Sequence, residues 1–176
     1  MTAEQARFMA DFFVSIIEGE TQTNLKVLQA IPEEKRDYRP DQKSRSALEL
    51  ARHMPVADLW FLEGLLNGEF AFPDPGTEEA IQSVADAIRF YNDRFLPALS
   101  KVKGLPGDQL AREMSMMGVL TKPAVIFLSF LIRHTVHHRG QLSTYLRPMG
   151  AKVPSIYGGS ADEPFDAEAH GMEAAG

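Results

Sequence analysis

The chain has 176 residues, the size of one domain with a core large enough to fold without disulfides. Its composition, 44% hydrophobic and 24% charged with a net charge of -6, is ordinary for a soluble globular protein. There is no cysteine, which excludes disulfides, thiolate metal ligands and a cysteine nucleophile. Charged residues are spread along the chain without the basic face that phosphate contacts require, so we expect no nucleic-acid partner.

The sequence also lacks the segments that direct a chain to a membrane. Its first residues mix acidic and polar side chains where a signal peptide needs a basic stretch followed by an apolar run. The longest apolar run, residues 124–130, is too short to span a bilayer. We therefore expect a cytoplasmic protein with no membrane partner.

Four segments have helical periodicity, and no segment alternates convincingly like a strand. The first covers about residues 3–30, and Thr2 and Gln5 have the spacing of a capping box at its start. Pro32 follows its end. Four residues are predicted to share one face of this helix: Phe8, Phe12, Ile16 and Thr23.

The second predicted helix covers about residues 46–66. Ser46 and Glu49 form another capping box at its start, and Gly68 lies just past its end. Pro55 lies inside it and removes one backbone hydrogen bond, so we expect the proline to kink the helix or to confine its regular part.

The third predicted helix begins at Thr77 and runs to Lys103. The fourth begins at Thr121 and ends at Arg147. Between them we expect an irregular connector with at most one short helical turn.

The helices predict a single domain over residues 1–157. The remaining residues, 158–176, are rich in glycine, alanine and acidic side chains, and we expect much of this tail to be mobile.

Three histidines interrupt the predicted apolar faces of the second and fourth helices. His134 and His138 are one helical turn and about 40° apart. His53 shares an arc of its helix with Leu50 and Trp60, which is most simply a core residue. Buried imidazoles need polar partners, and one metal ion could serve all three. A His pair at i and i+4 presents two ligands to one metal, and three protein ligands leave a coordination position open, as in catalytic sites.

Spacing alone leaves two questions open. A His pair on a helix can arise by chance and form only hydrogen bonds. His137 could also pair with His134, but it lies about 100° from His138, so both cannot face one ion. His170 falls in the tail, where we expect it to be solvated.

The stretch HTVHHRGQLSTYLRPMGAKVPSIYG resembles the closing signature of the DinB (YfiT-like) family, with its H-x3-H-R-G-Q, L-R-x-x-G and Pro-x-x-Tyr-Gly patterns. Two earlier segments, SRSALELARHMPVADLWFL and IPEEKRDYRPDQKSRS, resemble the family's second helix and the connector before it. The match covers residues 5–157. It implies an all-α four-helix bundle of up-down-down-up topology with a long crossover between the second and third helices. It also implies His53, His134 and His138 as the metal ligands.

In this bundle the metal would lie near the end where the second helix begins and the fourth finishes. Gln141 and Tyr145 would then stand between it and the mouth, and residues 153–157, with Tyr157, could fold back as a lid. These three residues are the candidates for the pocket. The alternatives are packing for Tyr145 and a hydrogen bond to a ligand imidazole for Gln141. Arg139 should point away from the histidines and form ion pairs.

The resemblance implies one divalent metal and a transferase that joins a low-molecular-weight thiol to a small electrophile, in a protein that forms a homodimer. A metal-dependent hydrolase and a non-catalytic, metal-braced stress-response or interaction protein are the alternatives. In a metal brace, Glu20 or Asn24 could close the site as a fourth ligand. Three imidazoles suit zinc, nickel, iron or copper, and availability favours zinc.

Overall fold

Helices dominate the regular structure of residues 1–164, which are the residues that the computed structural model describes. In chain order the elements are α1 Ala3–Gln29, a 3-10 turn Glu33–Lys35, α2 Ala47–Asn67, α3 Pro75–Glu79, α4 Val84–Phe90, a π-helical turn Tyr91–Phe95, α5 Leu96–Lys103, α6 Gly107–Ala111, β1 Glu113–Met116, β2 Leu120–Pro123 and α7 Ile126–Leu146. The segments α4, π turn and α5 follow one another without a break, and we call them together the third helix.

Contacts between helices define the direction of each one. Asp58 of α2 contacts Tyr91, and one turn later Glu63 contacts Arg94, so α2 and the third helix run in the same direction. Parallel neighbours need a long connection, and the crossover from residue 68 to residue 83 supplies it.

The other two neighbours run the opposite way. Tyr145, near the end of α7, bonds to the carbonyl of Arg45 just before α2 begins, so α2 and α7 are antiparallel. Near the start of α1, Arg7 bonds to the carbonyl of Lys103, so α1 and the third helix are also antiparallel. The predicted all-α bundle of up-down-down-up topology is confirmed.

Both predicted capping boxes are present. The Thr2 and Ser46 side chains accept hydrogen bonds from the N–H groups of Gln5 and Glu49. In return, the side chains of Gln5 and Glu49 accept hydrogen bonds from the backbone N–H groups of the two capping residues. The second helix continues through Pro55, which is buried, so the proline does not divide it.

The predicted face of α1 was wrong. Phe8 and Phe12 are 74% and 58% exposed. Two residues four positions apart differ by about 40° around the helix axis, so a series of such steps moves off one face. Alternating steps of three and four residues keep side chains on one face. The stripe that enters the core has such mixed steps, and its buried residues are Ala6, Ala10, Val14, Ile17, Thr21, Asn24 and Leu28.

The start of the third helix was also predicted wrongly. Thr77 lies within the short helix α3, and the third helix begins after Ser83, whose hydroxyl accepts a hydrogen bond from the N–H of Asp86. The π turn ends two residues before Pro97, which has no N–H to donate to the preceding turn.

A β-hairpin occupies the connector that was predicted to be irregular, and Thr121 belongs to its second strand rather than to a helix cap. Glu113 pairs with Pro123 and Met116 with Leu120. Gly118 in the turn has a φ of 73°, which glycine adopts without strain. The fourth helix therefore starts at Ile126 instead of Thr121.

The first residues of the predicted tail contact the domain. Asp162 accepts a hydrogen bond from the N–H of Val153, and Glu163 accepts one from Ser155. The rest of that tail, with His170, lies outside the described residues. In residues 1–164 no helix is long and apolar enough to cross a membrane.

The corrected face of α1 can be tested with two substitutions. Ile17→Ala removes a side chain that is 1% exposed and should lower the free energy of unfolding by about 2–5 kcal/mol. Phe8→Ala removes an exposed ring and should change it by less than about 0.5 kcal/mol. Urea denaturation measures both, and a cost for Phe8→Ala as large as for Ile17→Ala would contradict this face.

Candidate metal centre

Three half-buried histidines converge between α2 and α7. One ring nitrogen from each of His53, His134 and His138 lies within 4.8 Å of those of the other two. The Nε2 atoms of His53 and His134 are 3.2 Å apart. The rings of both lie edge-on to His138, with centroids 4.8 and 4.5 Å away.

The other nitrogen of each ring faces an oxygen acceptor. The three contacts are His53 Nδ1 to Glu78 Oε1 at 2.8 Å, His134 Nδ1 to Asp58 Oδ1 at 2.9 Å, and His138 Nδ1 to Gln141 Oε1 at 2.8 Å. Because carboxylate and amide oxygens accept hydrogen bonds, we assign the proton of each neutral ring to Nδ1. Every Nε2 is then left with a lone pair.

This arrangement fits a divalent metal. With the protons at Nδ1, the lone pairs of the His53 and His134 Nε2 atoms lie 3.2 Å apart, and a cation bound to both would relieve their repulsion. Burial lowers the pKa of His138 to about 4, so its ring is neutral and available as a ligand near neutral pH. An imidazole whose second nitrogen donates to a carboxylate or carbonyl is typical of histidines that bind metals.

Asp58 is the least exposed of the acceptors, with a side chain that is 1% exposed. Its second oxygen accepts a hydrogen bond of 2.8 Å from the hydroxyl of Tyr91 in the π turn. Burial, and then the negative charge of Asp58, raise the pKa of Tyr91 well above its ordinary value, so this hydroxyl remains a donor. Both oxygens of the buried carboxylate are thus satisfied.

Glu78 reaches His53 from α3, in the crossover between α2 and the third helix. The hydrogen bond from His53 lowers the pKa of Glu78, and the nearby charges of Arg45 and Arg52 act in the same direction. This residue therefore accepts a hydrogen bond from His53 as a carboxylate.

A second polar cluster lies on the other side of α7. Arg139 is 1% exposed and forms an ion pair with Glu20, and it also donates to Asn24 Oδ1 at 3.2 Å. The Asn24 amide donates in turn to Thr135 at 2.6 Å. The predicted ion pair of Arg139 is confirmed, although its burial was not foreseen. Glu20 and Asn24, considered above as closing ligands, are both engaged in this cluster.

Tyr157 also belongs to that cluster. Its hydroxyl lies 2.9 Å from both carboxylate oxygens of Glu20, and its ring packs against the Arg139 guanidinium, 5.0 Å from the ring centroid. Tyr157 lines neither cavity beside the histidines. Tyr157 therefore contacts α1 through Glu20 and does not form the expected lid over the pocket.

His137 contributes no ligand nitrogen to the three-histidine group and is exposed. Its ring packs against that of His138, with centroids 4.9 Å apart. The structure thus places His138, and not His137, beside His53 and His134.

A polar cavity of about 330 Å³ opens beside His138. Gln141 and Tyr145 line it, as predicted for the mouth, together with residues 43–45 from the connector before α2. Tyr145 is buried, and its hydroxyl donates to the Arg45 carbonyl at 3.2 Å, so it anchors this wall of the cavity.

A second cavity, of about 290 Å³, borders His53 and His134 and is mainly apolar. Trp60 forms part of its wall and donates from its indole N–H to the carbonyl of Ala71 at 2.7 Å. The predicted core residue Trp60 therefore also faces a pocket. His138 thus borders a polar cavity, and His53 and His134 border an apolar one.

Reasoning from the sequence missed Asp58 and Glu78. A signal existed for Asp58, because it is the one charged residue in the apolar run from residue 54 to residue 62, and such residues are rarely buried without a partner. Glu78 carried no such signal, since an acidic residue near a helix start is common.

Comparison with known proteins identifies the class. The sequence profile of the DinB family matches residues 7–168, and the chain belongs to that family. Among individual relatives, it is 27% identical to the protein YrdA of Bacillus subtilis (strain 168) over 157 residues, which cover 87% of this chain and 90% of YrdA.

Two solved structures share the fold. A DinB-like protein from Bacillus cereus ATCC 10987 is 28% identical, with a TM-score of 0.64, covering 82% of this chain and 95% of that one. A variant of the mycothiol-dependent maleylpyruvate isomerase has a TM-score of 0.50 at 13% identity, covering 88% of this chain and 65% of that one. At this identity the second likeness concerns the fold alone.

The acceptors behind the histidines should control metal affinity. We expect Asp58→Asn to weaken metal binding by about 10–100-fold, because a buried carboxylate that orients a ligand imidazole is lost. Glu78→Gln should have a smaller effect, since its side chain is 31% exposed and water can replace it. Competition with a chromophoric chelator measures both affinities.

Glu79→Gln is the matched control, because it removes an exposed carboxylate next to Glu78. Its metal affinity should equal that of the wild type. Equal affinity in Asp58→Asn, in a protein that remains folded by circular dichroism, would contradict the role of Asp58.

Proposed function

We propose that this protein uses a divalent metal, held by His53, His134 and His138, to join a low-molecular-weight thiol to a small electrophile. The observation that carries the proposal is the convergence of three imidazoles whose Nδ1 atoms are all held by oxygen acceptors. Zinc is the metal we expect, with nickel or iron as alternatives.

When bound, the metal would supply positive charge and an open position at which a thiol loses its proton near neutral pH. Asp58, Glu78 and Gln141 keep the three rings in place. In the transfer, a sulfur lone pair forms the new carbon–sulfur bond and the thiol proton passes to water. The bond to the leaving group breaks, and that group departs with its electron pair.

Two observations support this choice of reaction. The apolar cavity beside His53 and His134, about 290 Å³ in volume, suits the body of a small electrophile. The maleylpyruvate isomerase that shares the fold is mycothiol-dependent, which supports a thiol as cosubstrate at the level of fold only. Gln141 acts here as a positioning residue for His138, and Tyr145 as one for the Arg45 carbonyl.

The non-catalytic alternative requires a fourth protein ligand that closes the site. Glu20 and Asn24 are engaged with Arg139, and the ligand group in residues 1–164 consists of the three histidines. This supports an open position. A hydrolase would use water at that position, and thiol binding separates the two reactions. The homodimer and the cytoplasmic location stay predictions.

The metal site can be tested by elemental mass spectrometry on protein purified without a tag or added metal. We expect about one equivalent of a divalent metal in the wild type and less than about a tenth of that in His134→Ala, which removes one of three ligands. His137→Ala removes an exposed histidine from the same helix and should retain the full equivalent. No metal in the wild type, even after dialysis against zinc, would overturn the ligand assignment.

Thiol binding tests the reaction separately. In protein loaded with Co²⁺, 2-mercaptoethanol should produce the absorption band of a cobalt–thiolate bond. The band should be absent in His134→Ala and present in His137→Ala. One equivalent of cobalt with no thiolate band would retain the metal site and contradict the thiol transferase.

A further inference from the structure

A third cavity, of about 360 Å³, adjoins the polar cavity beside His138. The two share the wall formed by residues 43–45. Four basic and two acidic side chains line the third cavity, together with two neutral polar ones: Arg39, Lys43, Arg45, Arg52, Glu49, Glu78, Gln42 and Ser44. This excess of positive charge stands out in a chain whose net charge is -6. We call this cavity the basic cavity.

Both carboxylates of the basic cavity already have partners. Glu49 accepts a hydrogen bond of 2.6 Å from the N–H of Ser46 and lies 3.4 Å from Arg39. Glu78 faces His53 at 2.8 Å. Neither carboxylate lies within ion-pair distance of Lys43, Arg45 or Arg52.

Three basic side chains remain without an acidic partner. Within residues 1–164, Lys43, Arg45 and Arg52 have no carboxylate oxygen within ion-pair distance. The Nε of Arg52 is buried and has no hydrogen-bond partner. Because Arg52 lines the cavity, an anion there would meet a guanidinium that has no carboxylate partner within the described part of the chain.

The wall that carries these groups is held in place before any ligand arrives. The N–H of Lys43 bonds to the side chain of Asp41 at 2.8 Å, and the N–H of Ser44 bonds to the Asp41 carbonyl at 3.0 Å. Tyr145 holds the Arg45 carbonyl from α7. Such preorganisation lowers the entropic cost of binding a ligand.

We propose that Arg45 and Arg52, with Lys43, form an anion subsite that binds a carboxylate on the thiol substrate. The inference deepens the proposed function and rests on it for the identity of the substrate. The planar guanidinium groups match a carboxylate through paired hydrogen bonds, and the positive cavity attracts an anion from solution. The basic cavity then holds the carboxylate of the thiol, while the apolar cavity beside His53 and His134 takes the electrophile.

The affinities of two thiols distinguish binding at this subsite from binding at the metal alone. In Co²⁺-loaded protein, mercaptosuccinate should bind at least tenfold more tightly than neutral 2-mercaptoethanol. The double variant Arg45→Gln/Arg52→Gln should lose most of that advantage and leave the affinity for 2-mercaptoethanol unchanged. Arg94→Gln, which removes an exposed arginine from the third helix, is the matched control and should behave as the wild type. Equal affinities of the wild type for both thiols would overturn the subsite.

A second measurement tests the anion subsite independently of thiol binding. Calorimetric titration of the metal-loaded wild type with succinate should show binding that weakens at least tenfold in the double variant and with added salt. Succinate binding with this dependence, in a protein that binds no thiol, would contradict the transferase and support the anion subsite. Binding of inorganic phosphate more tightly than succinate would overturn the choice of a carboxylate, and equal succinate binding in both proteins would overturn the subsite itself.

Discussion

The buried carboxylate of Asp58 is the interaction on which the rest of this structure depends. It lies on α2, accepts a hydrogen bond from Tyr91 on the third helix, and faces His134 on α7. Asn24 of α1 lies 3.4 Å from the same tyrosine hydroxyl, so all four long helices meet in one polar cluster. An ionised carboxylate in an apolar core is very costly without such partners, and the helices must therefore pack in the register that supplies them. The helix packing that supplies partners to Asp58 therefore also orients His134.

The topology explains how the other two histidines obtain their acceptors. Because α2 and the third helix are parallel, the chain must return along the bundle, and the crossover carries α3 past the first turns of α2. Glu78 reaches His53 from that crossover. His138 needs no distant partner, since Gln141 follows it by one turn on the same helix. The long connection between the two parallel helices therefore also completes the site.

The sequence predicted the long helices well where local signals are strong. Both capping boxes on α1 and α2 were correct because each depends on residues only three positions apart. The starts of the third and fourth helices were wrong because Thr77 and Thr121 are acceptable caps whose use depends on the hairpin and on the crossover. The convergence of the three histidines followed from periodicity and family resemblance. Glu78 and the burial of Arg139 depend on tertiary contacts that no local pattern encodes, whereas Asp58 left a signal as the one charged residue of its apolar run.

The surroundings of the histidines are divided by charge, and this division follows from the same packing. On one side α2 presents Val56, Trp60 and Phe61 to an apolar cavity. On the other, the connector before α2 brings basic residues to a polar cavity, where Tyr145 fixes its path. The histidines border both environments, and Glu78 lines the basic cavity as well as the apolar one. A site that joins an anionic molecule to an apolar one needs this arrangement, whereas a metal that only braces a bundle gains nothing from it.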